Sequence, residues 1–200
     1  MKIDLTPDCP VTEEACQAAT GRTIASWIEA LEGQGDSCKS RRDAINWLVP
    51  QMKKDFWWAT TVWVEMERRK SIVKKDGRGE GYNICSTKTV NAPVSKVFAA
   101  FAGPGDLAWF GGKVEADHSL KSSEGHSGQA TRCRQDKDLR YVWQTAGMPD
   151  PTEVDVMFAE KAGKTGITLN HNRIQTREEA DGLRRAWGEA LSRLKSELEA

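Results

Sequence analysis

The C-terminal end of the chain, residues 164–198, constrains the fold more than any other stretch. Residues 165–174 are rich in Ile, Leu and Thr, which is typical of a β-strand. Thr176 and Glu179 then form a capping box, the pattern that satisfies free N–H groups at a helix start. Steps of three and four place six apolar residues on one side of the following helix: Ala180, Leu183, Trp187, Leu191, Leu194 and Leu198. A long helix with such a stripe needs a broad apolar surface, and we expect the preceding strands to supply a curved sheet.

The charge and cysteine content exclude several classes of function. The 29 basic and 29 acidic side chains cancel, so we expect no attraction to nucleic acid or to anionic membranes. No apolar run approaches the length of a membrane span, and the first residues lack a signal-peptide core, which favours a cytoplasmic protein. The five cysteines are scattered without a C-x-x-C pair. We therefore expect reduced thiols, with no zinc site and no cofactor.

The first part of the chain has a helical pattern. Residues 1–19 show no sustained period, and we predict a tail or a loose cover there, with a short helical turn at 12–19 as the alternative. Residues 20–70 contain three short amphipathic segments, which predict a small all-helical domain. The tryptophans of the third segment, Trp57, Trp58 and Trp63, cannot all point inward, so we expect this face to pack on the rest of the chain after residue 82 or on a second copy of the chain. Residues 71–81 are rich in Lys, Arg and Gly, which is typical of a flexible linker.

From residue 82 onward the period changes to that of strands. We predict strands at 84–90, 114–120, 127–134, 139–145, 153–160 and 165–174, a helix at 91–101 and a helical turn at 106–110. Turn residues separate the later strands, and the intervals are too short for crossover helices. The sheet is therefore predicted to be antiparallel.

The order of these elements and several motifs resemble a known family. Residues 86–101, followed by the sequence Asp-Leu-Ala-Trp-Phe-Gly at 106–111, resemble the opening of the SRPBCC or START-like superfamily. The closing segment 164–188 is similar to the branch named after the activator of the heat-shock protein ATPase. Residues 20–28 and 44–48 resemble a small helical domain of unknown function found in bacterial proteins.

The resemblance implies an α+β protein with a helix-grip fold at 82–200. In that fold a curved antiparallel sheet wraps around the long C-terminal helix, often with a cavity between them. A small N-terminal all-helical domain precedes it here. Residues 111–134 are shorter and more polar than the matching segment of other members, which argues against a large cavity.

The aromatic residues on one face of the predicted sheet are the best candidates for a binding site. Tyr141 and Trp143 alternate with polar residues along one strand. The candidate cavity-lining residues are Trp109, Phe110, Tyr141, Trp143, Phe158, His171, Leu183 and Trp187. The alternative is that these rings simply fill the core. For His171 the two interpretations are a structural histidine with a hydrogen-bond partner and a histidine that contacts a ligand.

Other chemistry finds little support in the sequence. His118 and His126 have no metal-ligand spacing with acidic or cysteine residues, and we expect both in exposed loops or strands. No nucleophile motif and no phosphate loop is present. The only residues that we would nominate for acid–base catalysis are His171, Asp155 and Arg173.

Three functions remain as hypotheses. The first is non-enzymatic binding of a small hydrophobic molecule between the sheet and the C-terminal helix. The second, implied by the resemblance, is a co-chaperone-like module that binds a protein partner or forms a homodimer. The third, also implied by the superfamily, is an enzyme that acts on polyketide-like substrates. The sequence assigns no catalytic residue and no metal site to any of them.

Overall fold

Six α-helices and eight β-strands make up the chain in the computed structural model, which describes residues 1–200. The helices are α1 (Glu13–Thr20), α2 (Ile24–Glu32), α3 (Arg41–Gln51), α4 (Phe56–Lys70), α5 (Val94–Ala102) and α6 (Arg177–Glu199), with a 3₁₀ turn at Gly35–Cys38. The strands are β1 (Tyr82–Val90), β2 (Gly105–Leu107), β3 (Gly112–Val114), β4 (Leu120–Ser122), β5 (Ser127–Arg134), β6 (Asp138–Gln144), β7 (Thr152–Lys161) and β8 (Lys164–Ile174).

These elements form two units. The helical unit comprises Pro7–Tyr82 and the short segment Gln175–Glu178. The sheet unit comprises Met1–Thr6, Asn83–Ile174 and Glu179–Ala200. The protein is therefore α+β, as the sequence predicts, with a helix-grip unit and an all-helical unit.

The helical unit is built on capped amphipathic helices. Thr12, Thr23, Ser40 and Asp55 each accept a backbone N–H bond at the start of α1, α2, α3 and α4, respectively. The apolar faces of these helices meet in one core that includes Trp27, Leu48 and Trp58. Trp27 also donates its indole N–H to Thr20, so this buried polar group is satisfied at 2.8 Å.

The borders of the helical unit differ from those predicted in three places. Residues 13–20 form α1 with Cys16 fully buried, which agrees with the alternative of a helical turn at 12–19 and not with a tail over all of 1–19. The predicted linker is held by the buried carboxylate of Glu67, which accepts the backbone N–H groups of Glu80 and Gly81 at 3.0 Å each. Residues 175–178 group with the helices because the Arg177 side chain lies over the indole of Trp57. The last two differences depend on long-range contacts that no local pattern reveals.

Arg177 also explains the tryptophans on α4. Trp58 and Trp63 are buried, and Trp57 is half-buried. The Arg177 guanidinium carbon is 4.5 Å from the centre of the Trp57 ring, and Tyr82 contacts the same ring at 5.4 Å. Trp57 is therefore covered by residues of the helical unit itself, whereas we expected the sheet domain or a second copy of the chain to cover it.

The sheet of the second unit has the strand order β1-β8-β7-β6-β5-β4-β3-β2. Each pair from β2 to β8 is antiparallel, as the short connections predict. A register shift between Ala130 and Arg132 marks a bulge in β5. The sheet is curved around α6, which is the arrangement that defines the helix-grip fold.

Alternation along the strands gives the sheet one apolar face. Tyr141 and Trp143 in β6 are buried, whereas Val142 between them is 42% exposed. Five of the six apolar residues predicted on one side of α6 are buried, and Leu198 is half-buried. The buried face of the helix and the inner face of the sheet form the core of this unit.

Two local predictions between α5 and β5 are correct only in part. A helical turn forms at the end of the segment 106–110, where the backbone N–H of Gly111 bonds the carbonyl oxygens of Leu107 and Ala108 at 2.8 and 3.2 Å, but residues 105–107 form strand β2. The predicted strand 114–120 is split into β3 and β4. A tight turn separates β3 and β4: Asp117 accepts the backbone N–H of Ser119, and His118 adopts a φ of 63°. The polar side chains form this turn locally, whereas pairing with neighbouring strands creates β2 and β3.

The two glycines of α6 give a matched pair of stability predictions. A Cβ on Gly182 would lie 2.3 Å from the carbonyl oxygen of Asp4, so Gly182→Ala must displace the segment Met1–Thr6. A Cβ on Gly188 would meet no atom within 4 Å. We expect Gly188→Ala to raise the free energy of unfolding by up to about 1 kcal/mol through helix propensity. Gly182→Ala is expected to lower it by about 1–3 kcal/mol through overpacking.

Thermal denaturation of both variants measures the difference. Limited proteolysis adds a local readout, because a displaced N-terminal segment is cleaved sooner. If Gly182→Ala is as stable and as resistant as Gly188→Ala, the close approach of residues 1–6 to α6 is incorrect.

Candidate functional site

The structure brings all eight predicted site residues into the interior of the sheet unit. Their side chains are 0–7% exposed. Trp109 and Phe110 follow β2, Tyr141 and Trp143 lie on β6, Phe158 on β7, His171 on β8, and Leu183 and Trp187 on α6. All eight residues therefore face the interior of the sheet unit, where Phe158 packs on the rings of Phe98 and Phe101 of α5.

The rings at the centre of this region contact one another directly. We call Trp109, Phe110, Trp143, His171 and Trp187 the aromatic cluster. The ring centres of Trp143 and Trp187 are 5.3 Å apart, and Phe110 lies 6.0 Å from the first and 6.1 Å from the second. Such separations are those of packed aromatic pairs. In this structure the rings themselves occupy the space beneath α6.

A glycine in β5 makes room for the rings. Gly128 is opposite Trp143 in the register of β5 and β6. A Cβ at Gly128 would lie 3.2 Å from the Trp143 ring and 3.3 Å from the Tyr141 ring. The absence of a side chain here lets both rings lie flat against the neighbouring strand.

His171 is the polar centre of the cluster and is completely buried. Trp187 can only donate, so His171 Nδ1 accepts its indole N–H at 3.0 Å. Nε2 therefore carries the proton and donates to Thr152 Oγ1 at 2.7 Å, and Thr152 in turn donates to the Trp143 carbonyl. When the His171 ring is neutral, every polar atom in this series of hydrogen bonds has a partner.

Burial also controls the ionisation of this histidine. Desolvation lowers the pKa of His171 to about 3. Protonation would in addition place a second hydrogen on the ring, at Nδ1, where it would point at the indole N–H of Trp187. The imidazole is therefore neutral at physiological pH and has no ring nitrogen available for proton transfer to a substrate.

The hydroxyl of Tyr141 and Nε2 of His126 are also buried in the sheet unit, and neither has a hydrogen-bond partner. The His126 ring stacks on Trp143 with 6.4 Å between ring centres, and its Nδ1 accepts the backbone N–H of Ala146 at 2.9 Å. Burial lowers the pKa of His126 and raises the pKa of Tyr141. Unpartnered buried polar atoms are rare and require an explanation.

The expectation that His126 is exposed is wrong, because its side chain is only 6% exposed. It lies just before β5, and the pairing of β5 with β6 carries it under Trp143. Its polar neighbours in the sequence gave no signal of this burial. His118 is half-buried in the turn between β3 and β4.

The residues nominated for catalysis do not meet. His171 points into the interior, whereas Asp155 lies on the opposite face of the sheet. There Asp155 forms ion pairs with Arg140 at 2.6 Å and with Arg132 at 3.3 Å. Arg173 has a φ of 69° near the end of β8, and its backbone N–H bonds Asn83. No single substrate position connects these groups.

A comparison with protein-family models identifies the family. The model of "Activator of Hsp90 ATPase homolog 1-like protein" matches residues 91–199, which is more than half of the chain and includes the whole aromatic cluster. The chain belongs to this family. Its members share the helix-grip arrangement described above, and the match begins just before α5, so the helical unit lies almost entirely outside it.

Solved structures agree with the family at the level of the fold. CalU16 from Micromonospora echinospora, determined in solution, is 22% identical with a TM-score of 0.54, over 60% of this chain and 67% of that one. Its crystal structure gives 23% identity and a TM-score of 0.51, over 58% and 75%. DynU16, a putative protein in the dynemicin biosynthetic locus, is 20% identical with a TM-score of 0.51. That match covers 59% of this chain and 47% of DynU16.

No curated protein matches the chain. Among residues 1–200, no group of three or more His, Cys, Asp or Glu side chains could hold a metal ion. All five cysteines are free thiols. None of the helices has the length and apolar character needed to cross a membrane.

Proposed function

We propose that this family member binds a small hydrophobic molecule between the inner face of its sheet and α6, and that it does so without catalysis. One observation carries the proposal: an interior walled by aromatic rings contains two buried polar atoms without a protein partner. Ligand sites in proteins combine these two properties, since apolar walls give affinity and a few polar groups fix orientation.

The polar atoms also indicate the kind of ligand. Because His126 Nδ1 accepts a backbone N–H, the neutral ring carries its proton on Nε2 and can only donate there. The Tyr141 hydroxyl can donate as well. Each unpartnered buried donor destabilises the empty protein, and a ligand oxygen would remove that penalty. We therefore infer an apolar molecule with a carbonyl or ether oxygen.

Entry of such a molecule requires the rings of the aromatic cluster to separate. Trp109, Trp143 and Trp187 are three of the eight tryptophans of the chain. Ligand uptake is consequently expected to change the intrinsic fluorescence, because indole emission depends on burial. Native mass spectrometry of freshly purified protein, followed by denaturing release, identifies any molecule that is retained.

Replacement of the two tyrosines of the chain by phenylalanine tests the proposal. Tyr141→Phe removes a hydroxyl without a partner, so we expect unchanged or slightly higher stability and about three- to tenfold weaker ligand retention. Tyr82→Phe is the control, because this buried tyrosine belongs to the helical unit and bonds Thr61. It is expected to lose about 1 kcal/mol of stability and to keep the ligand affinity.

Native mass spectra and thermal melts of the two variants measure both effects. A protein that retains no molecule and shows no shift with a panel of lipids and aromatic ketones would refute the proposal. So would equal ligand affinity in wild type and Tyr141→Phe, together with unchanged affinity on replacing His126 by phenylalanine.

A second candidate function is binding to a chaperone ATPase. The description of the family, which matches residues 91–199, favours it. A pull-down that recovers a chaperone at near-stoichiometric amount, together with stimulation of its ATPase activity, would establish this function. The third hypothesis, a cyclase-like enzyme, has no comparable support, because the nominated acid–base groups lie on different faces of the sheet.

A further inference from the structure

A second concave site of the sheet unit lies beside α5. This cleft, which we call the α5 cleft, has a volume of about 390 Å³ and is lined by α5, by His118 and by the turn between β5 and β6. Its volume is in the range of about 300–1,000 Å³ that small-molecule sites occupy. None of the eight residues predicted from the sequence lines it.

The floor of the cleft is apolar. Phe98 and Ala102 are one helical turn apart on α5, and Ala99 and Pro104 complete the surface. The Phe98 ring packs on Phe158, with 5.5 Å between ring centres. Phe98 therefore separates the cleft from the core of the sheet unit. The small side chains of the two alanines create the open volume, and a ligand here would cover exposed apolar surface without moving the aromatic cluster.

One ring nitrogen of His118 is a fixed polar group at this cleft. Its Nδ1 is 2.8 Å from the carbonyl oxygen of Ala102. A carbonyl only accepts, so Nδ1 carries the hydrogen, and the neutral ring has an acceptor at Nε2. No protein group is bonded to that nitrogen. The site therefore has an acceptor held in place by the C-terminal end of α5.

The charge of the lining disfavours an anionic ligand. Asp136 is the single acidic residue at the cleft, and no Lys or Arg lines it. An anion would be repelled, because no cation balances the carboxylate. Burial raises the pKa of the Cys133 thiol, which therefore adds a neutral S–H group to the rim.

We propose that the α5 cleft binds a small, uncharged, mainly apolar alcohol or phenol whose hydroxyl donates to Nε2 of His118. The apolar body of the molecule packs on Phe98, Ala99 and Ala102. This site is separate from the interior between the sheet and α6. The proposal does not depend on whether the interior binds a ligand.

The test uses 2-naphthol and naphthalene as probes, with protein labelled at its alanine methyl groups for NMR. We expect 2-naphthol to shift the methyl signals of Ala99 and Ala102, and to leave those of Ala180, Ala186 and Ala190 on α6 unchanged. Shifts confined to the α6 alanines would overturn the proposal and would instead indicate the interior site. Absence of any shift at millimolar probe would overturn it as well.

His118→Asn isolates the hydrogen bond. The Asn amide can still donate to the Ala102 carbonyl, and Asn tolerates the positive φ of 63°. The variant lacks Nε2, so we expect 2-naphthol to bind about three- to tenfold more weakly and naphthalene to bind as before. An equal loss for both probes would contradict the assigned role of His118.

A filled cleft provides the second control. Ala99 is exposed at the cleft, so the ring of Ala99→Phe can fill the cleft without displacing core residues, and both probes should lose binding. Glu197→Phe adds the same ring at an exposed position of α6 and is expected to leave both affinities unchanged. Retained binding in Ala99→Phe would place the probes elsewhere and refute the site.

Discussion

Trp143→Ala is expected to lower the free energy of unfolding of the sheet unit by about 3–5 kcal/mol. Trp143 is 0% exposed and contacts Phe110, His126 and Trp187. Its removal leaves a cavity that neighbouring rings on different strands and on α6 cannot all fill. Chemical denaturation followed by circular dichroism measures the loss.

A chemical rescue sharpens this prediction. Indole has the shape of the side chain that Trp143→Ala removes, and its N–H can replace the bond to Thr145, so added indole should restore part of the thermal stability of the variant. Val142→Ala is the matched control on the same strand, because Val142 faces outward. We expect its effect to stay within about 0.5 kcal/mol. A loss below about 1 kcal/mol for Trp143→Ala would mean that the ring is not part of a packed core.

The same variant also separates the two interpretations of the cluster. If Trp143 forms a wall of a binding site, its replacement reduces ligand binding by more than the loss of folded protein explains. If Trp143 is only a core residue, ligand binding and the folded fraction fall in proportion. Comparing ligand retention at equal folded fraction makes the distinction. Proportional loss would remove Trp143 from the proposed site and leave it as core.

Acidification is expected to destabilise the sheet unit through His171. Its pKa is about 3 in the folded protein and about 6.5 in the unfolded chain. Between these values the unfolded state binds the extra proton, so stability falls as the pH drops from about 6.5 towards 3. At pH 4.5 the expected loss from this one group is about 2–3 kcal/mol, which is about two pH units at 1.4 kcal/mol each.

His171→Asn isolates that contribution from the carboxylates that titrate in the same range. The Asn oxygen can accept the Trp187 N–H in place of Nδ1, and the amide does not titrate. We expect the variant to be less stable than wild type at pH 7, because Thr152 loses its bond, and to show a smaller loss between pH 7 and 4.5. Urea denaturation of both proteins at each pH measures the difference. Parallel pH profiles would contradict the neutral, buried histidine.

Much of the sheet unit was predictable because its signals are local. The stripe on α6 and the alternation in β6 and β8 follow from helix and strand periods, and each is long enough to be read without tertiary information. The turn between β3 and β4 was missed, and so was the strand β2. Three-residue strands carry no period of their own, and their neighbours in the sheet determine them.

The candidate site was predictable only in part. Aromatic residues at inward positions identified the ring cluster, since position along a strand fixes the face. The burial of His126 depends on the register of β5 against β6, and the α5 cleft depends on a turn that brings His118 to the end of α5. Residues far apart in the chain meet at both places, so no window of sequence contains them.

The sequence by itself determined the fold class, the inward face of each long strand and the stripe of α6, because periodicity and side-chain polarity act over a few residues. Tertiary structure alone decided how closely the rings of Trp143, Phe110 and Trp187 pack, and which polar atoms remain without a partner. It also assigned Arg177 to the helical unit, over the ring of Trp57. Those outcomes depend on distances between separate elements, and packing fixes such distances only when the whole chain has folded.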